Sequence, residues 1–177
     1  MKQLILFSAL FAITFPAFAQ QSKPNKNTVV TDVIREILPR QSKNLIAAVD
    51  EMPADKFNFR PTPPQMTFAH LVMHITESNN YLCAKAGDVA APKVPDLAET
   101  DGKDKLLAAL KASFDFCNTA LAKMDDSKLG DTVDLYGGRQ GPRAFAWIAL
   151  TNDWADHYSA AAQYLRLNGL LPPTAKK

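Results

Sequence analysis

Three histidines and one aspartate in this chain form two pairs with helical spacing. His70 and His74 are four residues apart, and so are Asp153 and His157. Residues four apart lie on one face of a helix, so each pair could direct imidazole nitrogen or carboxylate oxygen atoms toward a point between two packed helices. Such atoms bind divalent metal ions, although the same residues also occur on ordinary solvated helix surfaces. The pairs indicate a candidate metal site that the surrounding helices must assemble.

Four segments with helical periodicity could position these pairs. Apolar residues recur every three or four positions in stretches that begin near residues 30, 67, 102 and 143. In the first stretch, Pro39 lacks a backbone N–H and should kink or interrupt the helix. Thr67 is expected to cap the second helix, which should end near Gly87, and Thr100 or Asp101 is expected to cap the third.

The segments between these stretches contain residues that exclude regular helix. Prolines within 53–64 predict an extended crossover, and 88–100 is a second proline-containing connection. Gly137-Gly138 within 131–143 predicts a turn or small hairpin, after which a last helix should run from Pro142 to Gly169. The pattern predicts an all-α fold, an antiparallel four-helix bundle over residues 28–173, with a tail at 174–177.

Angular position within each helix narrows the candidate ligands. At about 100° per residue, His74 lies on the flank of the apolar face of the second helix, and His70 lies farther toward solvent. His157 and Asp153 share a flank of the last helix, with Asp156 outside it. His74, Asp153 and His157 would form a two-histidine, one-carboxylate set with open positions for a substrate. The alternative is a plain hydrogen bond between His74 and either aspartate.

The first nineteen residues have the pattern of a secretory signal peptide. A positive Lys2 precedes the apolar run 4–15, and Ala17-Phe18-Ala19 fits a cleavage signal. The mature chain is therefore expected to start at Gln20, with a flexible segment at 20–27. We expect an exported protein, periplasmic or secreted, without stable membrane insertion, because the run is too short to span a bilayer.

Charge indicates the class of partner. The formal net charge is +2, and it falls to +1 without Lys2, the single charged residue in 1–19. A nearly neutral chain with interspersed signs lacks the basic surface that nucleic acid binding requires. We therefore expect a small-molecule substrate or ligand and a metal ion as partners, no nucleic acid, and a homodimer as a further possibility.

The two cysteines lie on different predicted helices. Cys83 is late in the second and Cys117 is midway through the third. In an oxidising compartment a disulfide between them is the favoured hypothesis, and two buried free thiols are the alternative. Closing this loop would stabilise the fold by roughly 3 to 4 kcal/mol.

Several motifs together resemble the DinB-like (DinB/YfiT) superfamily. Residues 67–75, Thr-Phe-Ala-His-Leu-Val-Met-His-Ile, and then Asn-Tyr-Leu-Cys at 80–83, resemble its second helix. Asp-His-Tyr at 156–158 and the stretch 163–173 resemble its last helix, and Phe-Arg-Pro at 59–61 resembles its link after the first helix. The similarity spans about residues 28–173.

This resemblance implies a metal-binding four-helix bundle with particular ligands. By position these are His74, Asp153 and His157, and Asp153 stands where the family usually has a histidine. The ion would be zinc, iron, manganese or nickel. Independently of the resemblance, His70 and Glu77 are possible neighbours of the ligands, and Glu77, one turn after His74, could act as a general base or lie on the helix surface.

The family also suggests an activity. It includes metal-dependent thiol S-transferases, in which the metal activates a low-molecular-weight thiol, and members without an assigned activity. The resemblance implies thiol transfer, or hydrolysis by activated water, on an unknown substrate. The alternative is a non-catalytic exported bundle that binds a small ligand or is purely structural.

Overall fold

Four α-helices form the structure, a computed structural model that describes residues 27–176. The helices are α1 (Val29–Glu51), α2 (Phe68–Gly87), α3 (Lys103–Ala122) and α4 (Arg143–Leu167). A small antiparallel hairpin, β1 (Thr132–Asp134) and β2 (Gln140–Pro142), connects α3 to α4. The predicted four-helix bundle and hairpin are confirmed, whereas the expected signal peptide at 1–19 lies outside the described residues.

Apolar helix faces meet in one continuous core. α2 packs against both α3 and α4, and α1 also packs against α3 and α4. Two tryptophans of α4 fill the centre, and their indole N–H groups are satisfied, Trp147 by the Ala86 carbonyl at 3.1 Å and Trp154 by Asn79 Oδ1 at 2.7 Å. None of the helices within 27–176 combines the length and apolarity needed to cross a bilayer.

Helix α1 runs without a break through Pro39, so the expected interruption does not occur, and the alternative of a kink stays a prediction. A proline in a helix interior removes one backbone hydrogen bond. Buried residues lie on both sides of it, including Ile34 and Leu38 before it and Leu45 after it. Their packing against α3 and α4 outweighs the lost bond, because tertiary burial contributes more to helix stability than local propensity.

The ends of α2 follow the sequence expectations. The Thr67 side chain accepts a hydrogen bond from the His70 N–H at 3.0 Å, which confirms the predicted cap. The helix ends at Gly87, where an added Cβ would lie 2.6 Å from the Ala120 Cβ. Glycine therefore permits the close approach of α2 and α3 at this point.

A disulfide joins α2 and α3 at their contact. Cys83 and Cys117 are bonded, with their Cα atoms 5.1 Å apart, and both are fully buried. The favoured hypothesis of a disulfide is confirmed, and the alternative of two free thiols is not. The second and third helices are thus tied independently of α4.

The start of α3 differs from the expectation by one or two residues. Its cap position is Gly102, which has no side chain to accept a bond. Asp101 instead accepts from the Ala98 N–H at 2.9 Å and pairs with Lys105 at 2.8 Å. The expected capping by Thr100 or Asp101 is therefore wrong, because the Asp101 carboxylate closes the preceding turn. Helix α4 ends as predicted, with Gly169 at φ 75°.

Helices α1 and α3 cap each other across the chain. The Asp126 carboxylate, just after α3, accepts from the N–H groups of Val30 at 2.8 Å and Thr31 at 2.9 Å. In return, the Arg35 guanidinium of α1 donates to the carbonyls of Leu121 and Met124. The open ends of the two helices thereby satisfy each other at one end of the bundle.

Candidate metal centre

The predicted ligands meet between α2 and α4. The imidazole rings of His74 and His157 lie edge to face, with their centroids 4.9 Å apart. Asp153, one turn before His157 on α4, places Oδ1 3.2 Å from His157 Nε2. One ligand atom from each of the three side chains lies within 4.8 Å of the other two. The three residues therefore form a possible metal-binding group.

The Nε2 atom of His157 is the clearest sign of a binding site. It is buried and has no hydrogen-bond partner, although Asp153 Oδ1 is only 3.2 Å away. The distance fits an ion pair, but the angles do not make a hydrogen bond. Two electron-rich atoms held side by side without bonding each other can both donate to one cation. The donor set, two imidazoles and a carboxylate, suits a divalent transition metal.

The distances between the three ligand atoms also bear on whether a metal ion fits between them. Ligands around one tetrahedral ion with bonds of 2.0 to 2.2 Å lie about 3.4 Å apart. The His157 Nε2–Asp153 Oδ1 distance of 3.2 Å is close to this value, and all three atoms lie within 4.8 Å, so binding needs at most a small side-chain rotation. His74 is only partly buried. The three residues fit a metal ion with that adjustment.

Asp156 lies on the other side of the His157 ring. Its Oδ2 is 3.8 Å from His157 Nδ1, and its side chain is 80 % exposed. A carboxylate beside the outer nitrogen of a metal-binding histidine orients the ring and increases its basicity. Among the hydrogen bonds of residues 27–176, none joins His74 to Asp153 or Asp156. The alternative of a simple interhelical bond therefore has no support, and both aspartates face His157.

His70 lies in a different interaction from the one expected. Its Nδ1 is 2.8 Å from Glu99 Oε1, and the Thr67 hydroxyl donates to the other oxygen of Glu99. These contacts hold the connection between α2 and α3 against the start of α2. The structure thus places His70 with Glu99 and outside the group of three ligands, and its expected role beside them stays a prediction. Glu77 is exposed on α2.

Tyr136 lies near the candidate ligands, and sequence reasoning did not single it out. It begins the turn between β1 and β2, where Gly137 and Gly138 take φ values of 69° and 73° that favour glycine. The ring of Tyr136 stacks on Tyr81 of α2, with centroids 4.2 Å apart and planes 24° apart. The glycines were a signal for the turn, but no signal showed that the turn would dock on α2.

The surroundings of Tyr136 connect it to the candidate ligands. Burial raises the pKa of its hydroxyl, and the negative charges of Asp153 and Glu77 act in the same direction, while the Ser78 hydroxyl lowers it. Ser78 follows His74 by one helical turn. The phenol therefore lies on the same side of α2 as the ligand group and keeps its proton at neutral pH.

A pocket of about 300 Å³ opens beside His157. Its walls come from α4, from the start of α2 and from the extended crossover: Pro64, Gln65, Met66, Leu71, Asp156, His157, Ala160 and Tyr164. The Tyr164 hydroxyl donates to the Met66 carbonyl at 2.7 Å and fixes the crossover there. Burial raises the pKa of this hydroxyl. The pocket suits a small, largely apolar group next to the candidate metal ligands.

Comparisons with known proteins agree with this architecture. Residues 38–156 match the model of the family described as the DinB superfamily. A DinB-like protein from Bacillus cereus superimposes with a TM-score of 0.66 and 14% identity, covering 80% of this chain and 95% of its own. A DinB-like protein from Bacillus subtilis gives 0.65 and 17%, covering 82% and 99%. No curated protein matches the sequence.

A third solved structure is similar in the same way. It is a conserved protein from Enterococcus faecalis, with a TM-score of 0.63 and 17% identity, covering 78% of this chain and 96% of its own. Identities this low establish the shared fold and leave the chemistry to the site itself.

Proposed function

This chain belongs to the DinB superfamily, and we propose that it is an exported member that binds a divalent metal ion through His74, Asp153 and His157. The observation that carries the proposal is the buried, unpartnered Nε2 of His157 beside Asp153 Oδ1. Three protein ligands leave positions open for a substrate, and a pocket lined by His157 lies next to the group. We therefore propose a metal-dependent enzyme for a small, partly apolar substrate.

Thiol transfer to an electrophile is the reaction we propose first. When bound, the metal supplies a Lewis acid that lowers the pKa of a thiol or a water molecule. In the transfer, the thiol loses its proton to solvent, a sulfur–carbon bond forms, and the leaving group departs with its electron pair. Hydrolysis needs the same Lewis acid with water in place of the thiol, so a direct comparison must separate the two reactions.

The surrounding side chains have separate roles in this proposal. Asp156, whose Oδ2 lies 3.8 Å from His157 Nδ1, would orient the ring once it closes to hydrogen-bond distance. Leu71 and Tyr164 bind the apolar part of the substrate and exclude water from it. The Tyr136 hydroxyl, which keeps its proton, donates a hydrogen bond to negative charge that develops on the substrate or the leaving group.

Export is part of the proposal because of the cysteines. A buried disulfide between Cys83 and Cys117 is typical of proteins that fold in an oxidising compartment. With the signal peptide expected at 1–19, this supports a periplasmic or secreted location. The thiol substrate would then come from that compartment.

Metal content of the purified protein tests the site. Plasma mass spectrometry, without chelators or a histidine tag in the preparation, should find close to one zinc, iron, manganese or nickel ion per chain. The double variant His74→Ala, His157→Ala should lose it. His70→Ala is the matched control, because His70 pairs with Glu99, and it should keep the metal. A folded protein that stays empty after reconstitution would leave the non-catalytic bundle as the better description.

Activity is tested with two probes. 1-Chloro-2,4-dinitrobenzene with cysteine reports thiol transfer with loss of chloride, and 4-nitrophenyl acetate reports hydrolysis. Tyr136→Phe should lower kcat about tenfold or more and leave metal content unchanged, because it removes one hydrogen-bond donor. Tyr81→Phe keeps the stacking ring and should have little effect. An unchanged kcat in Tyr136→Phe would contradict the role of the phenol.

A further inference from the structure

We propose a second ligand site, separate from the metal centre, for a neutral molecule of two fused rings that carries a hydroxyl group. The site is a cavity of about 270 Å³ between α2, α3 and the connection at 88–102. Small side chains on α3, Ala109 and Ala112, leave the space open. Pro92 and Pro95 keep the connection from forming a helix that would fill it. This inference does not depend on the proposed function.

The cavity and the metal centre lie on opposite faces of α2. Thr76 and Asn80 line the cavity, and they follow His74 by two and six residues. At about 100° per residue they are rotated from His74 by about 200° and 240°. The buried face of α2, which includes Asn79, separates the two. A ligand in this cavity would therefore not touch the metal ligands.

The polar groups of the cavity are satisfied by the protein with one exception. The Thr76 hydroxyl donates to the Val72 carbonyl at 2.8 Å. The Ser113 hydroxyl donates to the Leu110 carbonyl at 2.8 Å and accepts from Asn79. Asn80 Oδ1 is buried without a partner, which is unusual for a folded protein.

A ligand would supply the partner that Asn80 lacks. The terminal torsion of an asparagine is soft, so the amide can turn toward the cavity that its side chain lines. Because a hydroxyl group both donates and accepts, it can bond either end of the amide. One unsatisfied polar group in a wall whose other groups are apolar or already bonded within the protein indicates a mainly apolar ligand with one polar group.

The size of the cavity and the charges around it narrow the class of ligand further. A dry apolar cavity of about 150 Å³ holds one benzene ring, and this cavity is nearly twice as large, so two fused rings fit. Lys105 at its edge is already paired with Asp101 at 2.8 Å, so the site offers no unpaired charge for an anion. Val94, 53 % exposed, marks the side from which a ligand can enter.

The test uses 2-naphthol and naphthalene as probes with the purified protein. We expect saturable binding of one 2-naphthol per chain, about threefold to tenfold tighter than naphthalene, because one added hydrogen bond contributes a factor of this size. Ala109→Leu should abolish binding of both probes by filling the cavity. Ala108→Leu, on the exposed side of α3, is the matched control and should bind as the wild type does.

Two further variants complete the test. Asn80→Leu should remove the preference for 2-naphthol and keep the protein folded, since it replaces an unsatisfied amide with an apolar group. Ala160→Leu, in the pocket beside His157, should leave 2-naphthol binding unchanged. The proposal is overturned if the wild type shows no saturable binding, if Ala109→Leu binds normally, if the preference survives in Asn80→Leu, or if Ala160→Leu abolishes binding.

Discussion

Removing the disulfide should cost a large part of the stability of this domain. Cys83 and Cys117 are 34 residues apart in sequence, and closing a loop of that length lowers the entropy of the unfolded chain by an amount worth about 4 kcal/mol at 25 °C. Domains of this kind have a free energy of unfolding of roughly 5 to 15 kcal/mol. The double variant Cys83→Ala, Cys117→Ala should therefore unfold at a melting temperature lower by roughly 10 °C.

Urea denaturation checks both the size and the cause of this effect. The denaturant slope m should rise in the double variant, because an unfolded chain without the crosslink exposes more surface. Wild-type protein treated with a reductant separates loss of the crosslink from loss of buried sulfur atoms. Metal content should not change, since neither cysteine belongs to the ligand group. A loss below about 1 kcal/mol with an unchanged m would refute the reasoning.

Two other predictions concern stability. Gly87→Ala should destabilise the folded protein by about 1 to 3 kcal/mol, because the added Cβ would lie 2.6 Å from a side chain of α3. Gly130→Ala is the control, since there is open space around its Cβ. Equal melting temperatures of the two variants would contradict the packing argument. Hydrogen bonds from Thr67 and His70 lower the pKa of the Glu99 carboxyl from its ordinary value of 4.5. The stabilisation that this carboxylate gives to the folded state is therefore present above pH 4.5 and is lost as the pH falls through the lower pKa of the folded protein. Glu99→Gln should reduce the free energy of unfolding by up to about 1 kcal/mol at pH 6, a small effect because the Glu99–His70 pair is partly exposed. In urea titrations the difference between variant and wild type should shrink toward pH 3. A difference that stays constant with pH would contradict the prediction.

Local chemistry accounts for the parts of the fold that the sequence predicted correctly. Thr67 and Gly169 mark helix ends through interactions within a few residues, and such signals do not depend on the rest of the chain. Helix α1 continues through Pro39, where the sequence predicts a kink or a break, because the burial that outweighs the lost bond comes from other helices. The predicted side-chain cap of α3 is also wrong, because Asp101 accepts a hydrogen bond within the preceding turn instead.

The residues of the candidate site also divide into those that a local pattern predicted and those whose place depends on tertiary packing. Helical spacing placed His74, Asp153 and His157 together because α2 and α4 are regular and antiparallel. Tyr136 was missed because its position depends on how a short hairpin docks on α2, which has no periodic signal. The proximity of Asp156 to His157 depends on side-chain orientation, which the angular argument did not treat.

The mutual capping of α1 and α3 has a consequence for the order in which the protein can fold. The carboxylate of Asp126 that bonds the first N–H groups of α1 comes 96 residues after Val30. A chain made from its N-terminus therefore carries α1 with an unfinished first turn until most of the domain has been synthesised. If the chain is exported through a channel that admits unfolded polypeptide, this cap is one of the contacts that form only after passage. The N-terminal helix would then be completed only after translocation, when the end of α3 arrives to cap it.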